Sequence, residues 1–363
     1  MRHIFVIYGI VIQVSLIKNT NCLDMEKLES LGINSDVYIS DIAVYLNRAF
    51  LTIPRTICDN NVTHPTFVEV PWKEYNVILK SRFSKHIEDQ IWAECDNLQN
   101  AISLAKEGPK AKLWILDKGN EFCPPKLMTY SIFHNKFLEE EIIELADIPK
   151  EGLSTIVVEN EPTIGNHRAF IANAGENTIL VCFLAKLECN KINLIEKRTP
   201  PSTVLVDFLD ISKTDSTMYL TGLQSSNLWS FDLANLPTES GKKHDPPFAV
   251  NVKWVGETLG LSSGLETDYK NGLLYYLTKD YAIVRWNTEE VLQAENHEVL
   301  AQSYEKLAYV SRLFTDSQGS VYALVNPFGP FTCNNDTAEV NLDSLERVQQ
   351  IMKYNRLLDR FFF

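Results

Sequence analysis

The chain has 363 residues, 45% hydrophobic and 10% aromatic, with only 15 Gly and 15 Pro, a composition that excludes a disordered or collagen-like polymer. Its 34 Lys and Arg against 47 Asp and Glu, a formal net charge of −13, leave no positive excess to collect phosphates, so no nucleic acid is expected as a partner. The length admits two or three ordinary domains or one large β architecture, and the internal pattern has to choose.

The first element reads as an export signal. Met1-Arg2-His3, an apolar run from Ile4 to Ile17 and a polar exit from Lys18 to Cys22 form the three regions of a secretory signal peptide. The run is shorter than the ~20 residues of a bilayer span, and Gln13 and Ser15 interrupt it. Residues 1–22 are therefore expected to be cleaved and the protein secreted, with no membrane partner. Loss of Arg2 and Lys18 takes the mature charge to −15. Six cysteines remain, Cys58, Cys95, Cys123, Cys182, Cys189 and Cys333, an even number in an exported chain, as disulfides require. No Cys-x-x-Cys and no His pair at i, i+4 occurs, so neither a metal nor another cofactor is expected. Asn61-Val-Thr63 and Asn335-Asp-Thr337 are glycosylation sequons.

Strand patterns then follow in sequence: Ala49–Ile53, Leu113–Asp117, Lys126–Tyr130, Ala169–Asn173 and Thr178–Phe183. In the second half a sharper rhythm repeats. Thr214-Asp215, Thr267-Asp268 and Thr315-Asp316 each open a turn that feeds an aromatic strand, led by Met218-Tyr219, Leu274–Thr278 and Val321–Val325. Two of these are followed at once by another strand, Asn227–Asp232 and Ala282–Asn287. Phe50, Trp114, Phe170, Tyr219, Tyr275 and Tyr322 mark six units spaced 64, 56, 49, 56 and 47 residues apart. Such a period, with several strands per unit, predicts an all-β fold, a six-bladed β-propeller in which each blade buries its faces against two neighbours. A large β-sandwich or two smaller β domains is the alternative. Helical propensity is local: it allows a helix over 96–106 and favours one over 342–358, where Leu345, Val348 and Ile351 share a face. The expected organisation is a signal peptide over 1–22, a propeller over 23–340 and a short, helical C-terminal tail over 341–363.

Gly260-Leu-Ser262-Ser-Gly264 spells a nucleophile elbow, but that device needs a helix after the serine, and here Leu265–Asp268 leads into another strand. Acidic runs such as Glu139-Glu-Glu141 read as solvated faces. No catalytic group is assigned.

Phe50–Arg55, Lys112–Gly119, Cys123–Leu127, Ala169–Asn173, Arg285–Thr288 and Gly319–Asn326 together resemble, in this order, the blocks of the Yellow and major royal jelly protein family of insects. The resemblance runs from about residue 40 to residue 330 and implies a secreted six-bladed propeller. It also has gaps. Cysteines that the family usually places before the Leu-Trp block, before the third-blade strand and before Trp-Asn-Thr fall here on Gly108–Lys112, Gly165–Arg168 and Arg285, and its C-terminal cysteine is absent. The resemblance leaves Cys95 with Cys123 as the expected bridge. Cys58 with Cys333 would link the first and last blades on ring closure, and Cys182 with Cys189 is the remaining pair.

The resemblance also implies a function. Relatives of the sand-fly salivary type bind biogenic amines in the central tunnel through a hydroxyl residue fifteen positions before an asparagine that is followed by x-Phe. Ser311, Asn326 and Phe328 match that spacing, with Pro327 as a departure. Hydroxyl and amide oxygens can accept from an ammonium, and aromatic walls hold its ring. The expected function is non-catalytic binding of a small aromatic or biogenic amine in the central tunnel, the partner being a small aromatic amine or catechol-related ligand. Dopachrome conversion in a pigment pathway is a second reading, and a structural, cuticular or secreted-fluid protein without ligand a third.

Overall fold

The structure is a computed structural model that describes residues 38–55, 64–72, 90–159, 167–174, 176–198, 203–223, 225–237, 248–316, 319–326, 329 and 349–352. Consecutive antiparallel hairpins build six sheets. The first holds β1 (Asp41–Tyr45), β2 (Arg48–Thr52) and β3 (Phe67–Pro71). The second holds β4 (Ala101–Glu107), β5 (Lys112–Asp117), β6 (Lys126–Ser131) and β7 (Lys136–Glu144). In the third are β8 (Leu153–Val158), β9 (Arg168–Asn173), β10 (Thr178–Phe183) and β11 (Glu188–Glu196). The fourth comprises β12 (Phe208–Ile211), β13 (Thr217–Thr221), β14 (Asn227–Asp232) and β15 (Ala249–Glu257), and its outer strand also pairs in parallel with β11. The fifth contains β16 (Ser262–Thr267), β17 (Gly272–Leu277), β18 (Ala282–Asn287) and β19 (His297–Gln302). β20 (Tyr309–Thr315), β21 (Val321–Asn326) and β22 (Gln349–Met352) close the set.

The first strands of the six sheets touch one another in a closed circuit, β1 to β4, β8, β12, β16, β20 and back to β1. Six hydrophobic clusters fill the spaces between successive sheets. Phe50 and Tyr130 meet between the first and second, Phe170 and Trp229 between the third and fourth, and Ile39, Trp72 and Tyr322 between the last and the first. This is a six-bladed propeller. All six marker aromatics lie on the second strand of their blades, β2, β5, β9, β13, β17 and β21. That strand packs against both neighbouring blades, so it reads as an almost unbroken apolar run: Arg168–Asn173 and Gly272–Leu277 are buried throughout. Outer strands have one wet face and alternate, as Lys136–Glu144 does.

The Thr-Asp turns work as the sequence suggests. Asp215 accepts from the Thr217 N–H (2.8 Å), Asp268 from those of Lys270 (2.7 Å) and Gly272 (2.8 Å), and Asp316 from that of Ser320 (2.8 Å). Each carboxylate thus fixes the reversal between the first and second strands of its blade.

Both helix expectations are corrected. Residues 101–107 form β4, the inner strand of the second blade, because the backbone pairing with β5 and the packing between β1 and β8 outweigh local propensity. Within the C-terminal tail, Gln349–Met352 form β22 and pair with β21, which otherwise would present an open edge. Ser262 opens β16, buried and followed by another strand, so the elbow motif is a strand with a bulge at Gly264. There φ is +64°, and an added Cβ would stand 3.4 Å from the Leu313 backbone nitrogen of the next blade.

Candidate binding site

Inner strands line the central opening, so they cannot be wholly apolar, and their polar side chains have a structural task first. Each inner strand is tied to the next by a side chain bonded to backbone or by a hydroxyl bridge. Asp41 accepts from the Leu104 N–H (3.1 Å), Ser103 Oγ from that of Ile156 (3.1 Å), and Ser154 and Thr155 donate to the Asp207 carbonyl (2.8 Å each). Asp210 accepts from the Thr267 N–H (2.6 Å), and Ser263 donates to the Val310 carbonyl (3.0 Å).

The sixth link contains two of the three expected ligand residues. Asn326 Oδ1 accepts from the Ile39 N–H (2.9 Å), while its Nδ2 donates to the Ile39 carbonyl (2.9 Å) and to Ser311 Oγ (2.8 Å). Ser311 in turn donates to the same carbonyl (2.9 Å). Ser311 occupies a bulge between Val310 and Arg312, where it has no partner across the ladder and its hydroxyl is released toward the first blade. The structure therefore brings Ser311 and Asn326 together, both buried, and commits most of their hydrogen-bonding capacity to the chain just before β1. Tyr38 and Tyr309 stand beside them, rings edge to face at 6.1 Å. Burial raises both phenols, with neighbouring Asp41 adding to the effect on Tyr38 and Asp207 to that on Tyr309. Phe328, Cys58, Cys333, Asn61, Asn335 and residues 1–22 lie outside the described residues.

Among the described residues two bridges are present, Cys95–Cys123 and Cys182–Cys189. The second joins directly opposed residues of β10 and β11. At two of the stretches where the resemblance leads to the expectation of a cysteine, ion pairs stand instead. Arg168 forks onto Glu159 (2.8 and 3.0 Å), and Arg285 reaches Asp268 (2.7 Å).

Toward the other ends of the inner strands lies a cavity of ≈ 540 Å³, to which all six blades contribute. Of its charged residues Asp215 and Asp316 are singled out in the sequence, as turn formers, and none of the others. Lys213, from the turn after β12, donates to Glu266, to the Thr267 carbonyl and to Thr315 Oγ1, so one ammonium spans three blades. Burial lowers the tendency of that amine to hold a proton, but Glu266 and Asp210 more than reverse it and its pKa is raised. Asp210 moves the other way: desolvation, reinforced by Glu266, lifts its carboxyl to about 6. Lys106 is lowered by burial. A signal for part of this set is visible in retrospect, since Asp210 and Glu266, like Asp41 beside Arg312, each stand nine positions ahead of a marker aromatic. Among the described residues no group of three or more His, Cys, Asp or Glu could hold a metal ion.

Residues 110–357 match the sequence profile of a family described as Major royal jelly protein. Major royal jelly protein 7 of Apis mellifera is 22% identical over 249 residues, covering 60% of this chain; the chain thus spans about half, 54%, of that relative. Among solved structures, a nidogen/laminin complex overlays with a TM-score of 0.46 at 12% identity, over 78% of this chain and 84% of the other. A virginiamycin B lyase from Staphylococcus aureus does so at 0.46 and 11% identity, over 80% of this chain and 78% of the other. Since the family profile takes in well over half of the sequence, this chain belongs to the major royal jelly protein family.

Proposed function

We propose that this protein is a secreted, non-catalytic binder of a small aromatic or biogenic amine, seated where Ser311 and Asn326 meet the first blade. The observation that carries the reading is the 2.8 Å contact between those two side chains beside the rings of Tyr38 and Tyr309. Because the Asn326 amide holds Ile39, what it offers an ammonium is the second lone pair of Oδ1. The tyrosine rings supply aromatic walls, and Asp207, whose carboxyl is raised by desolvation, supplies a nearby negative charge that a bound cation would stabilise. Two disulfides and the family support an oxidising, extracellular setting.

Calorimetry with serotonin, dopamine and norepinephrine tests the reading. Saturable heat with at least one of them is expected, weakened about tenfold in Asp207→Asn, which keeps the shape but removes the charge. No heat with any of the three overturns it. A loss of dopachrome absorbance faster than in a heat-treated control would favour the pigment-pathway alternative.

A further inference from the structure

We propose that the cavity at the C-terminal ends of the inner strands is a second ligand site, selective for a small organic carboxylate held by Arg312 and Lys106.

Arg312, on β20, lines this cavity at 8% exposure. Its Nε and Nη1 are buried and have no hydrogen-bond partner. Its charge is met by Asp41, with Nε 3.3 Å from Oδ1. Yet the Asp41 oxygens already accept from Ile42 N, Leu104 N and the Ser103 hydroxyl, so the guanidinium fork stays unsaturated. An unspent buried donor is costly, and more so on a charged group. Lys106, half-buried on β4, faces the same cavity, and no described residue accepts from its ammonium.

The other charges of the wall each hold at least one partner, Asp215 the Thr217 N–H and Asp316 the Ser320 N–H through Oδ1. Glu266 takes Lys213 and Thr315, Asp210 takes the Thr267 N–H, and Glu159 takes Arg168. What Arg312 and Lys106 offer the cavity is donors. The ligand they suit carries one negative charge: a dianion such as phosphate would sit against Asp210, Glu266 and Asp316 as well, whereas a carboxylate matches the planar fork of the arginine. A volume of ≈ 540 Å³ accommodates an aromatic acid, with the ring of Tyr269 in the wall. This site is separate from the Ser311–Asn326 contact and takes a ligand of opposite charge, so either proposal can fail alone.

The test is calorimetry with acetate, benzoate and indole-3-acetate, each against its amine counterpart ethylamine, benzylamine and tryptamine. At least one aromatic carboxylate should bind, and Arg312→Gln and Lys106→Met should each weaken it tenfold or more while leaving the response to the amines unchanged. Thermal melts followed by circular dichroism accompany both variants. If Arg312→Gln fails to fold, Lys106→Met decides, because no described residue accepts a hydrogen bond from that ammonium. Absence of heat with all three carboxylates, or wild-type carboxylate affinity in folded Lys106→Met, overturns the proposal.

Discussion

Asn326 clamps both backbone groups of Ile39, accepting from its N–H and donating to its carbonyl, each at 2.9 Å, across 287 residues of sequence. Together with the Ser311–Ile39 bond and the Arg312–Asp41 ion pair, it joins the two ends of the propeller. It is placed where closure is hardest, since loop entropy opposes bringing such distant segments together until the other five interfaces have formed.

Asn326→Ala would leave the Ile39 N–H and one lone pair of its carbonyl buried without their partner. The expected cost is about 2–4 kcal/mol, and Ser311→Ala, which removes one donor to the same carbonyl, should cost about 1 kcal/mol. Urea denaturation followed by tryptophan fluorescence reads both. Unchanged midpoints in Asn326→Ala would show that apolar packing between the first and last blades closes the ring unaided.

Asp210 makes stability depend on pH. Its folded carboxyl titrates at about 6, above its ordinary value of 3.8, because desolvation and the nearby Glu266 charge both oppose ionisation. The folded state therefore holds its proton where the unfolded state has lost it, and stability contributed below about pH 4 is lost as pH rises through about 6. The full effect is about 3 kcal/mol. Asp210→Asn keeps an acceptor for the Thr267 N–H and removes the titration. The difference in unfolding free energy between wild type and Asp210→Asn should move by that order between pH 4 and 7, in favour of the variant at the higher pH; a flat difference contradicts the assignment.

Gly272 leaves room for an ion pair. A Cβ built there would stand 2.4 Å from Arg285 Nε and 2.3 Å from Asp268 Oδ2. Gly272→Ala should displace the pair and destabilise by about 1–3 kcal/mol. In an Arg285→Ala background part of the space opens, so the same change should cost at least 0.5 kcal/mol less, on the scale of coupling between residues in contact. Additive costs in a double-mutant cycle would remove the steric explanation.

The two bridges should differ in worth. Cys95–Cys123 spans 28 residues and Cys182–Cys189 only 7. In the chain-entropy account they contribute about 3.5 and about 2.5 kcal/mol, since the longer loop restrains more of the unfolded chain. Paired Cys→Ser variants measured by denaturation should preserve that order. Equal or reversed losses would mean that folded-state contacts, such as the packing of Cys182 in the core between the second and third blades, dominate instead.

How much was legible follows from where each strand sits. β2, β5, β9, β17 and β21 were readable because their residues are buried on both faces, so local composition and fold requirement agree. The inner strands were not: Ser103, Asp210, Ser263 and Ser311 interrupt the apolar pattern with groups whose partners lie on the next blade. Asp96–Lys106 looked helical for the same reason, as alanine, leucine and lysine carry helical propensity and nothing within the segment announces Thr66 or Asp41 as partners.

From the sequence alone came the six-unit repeat, the aromatic at the centre of each unit, the aspartate turns and the pairing of Cys95 with Cys123, all of them determined by local composition or by resemblance to a family. Only the tertiary structure decided what Ser311 and Asn326 bond to, that Lys213 spans three blades, and that Arg312 keeps buried donors unspent. These depend on ring closure, which brings residues from six distant segments to one opening, and no local pattern encodes which of them will meet.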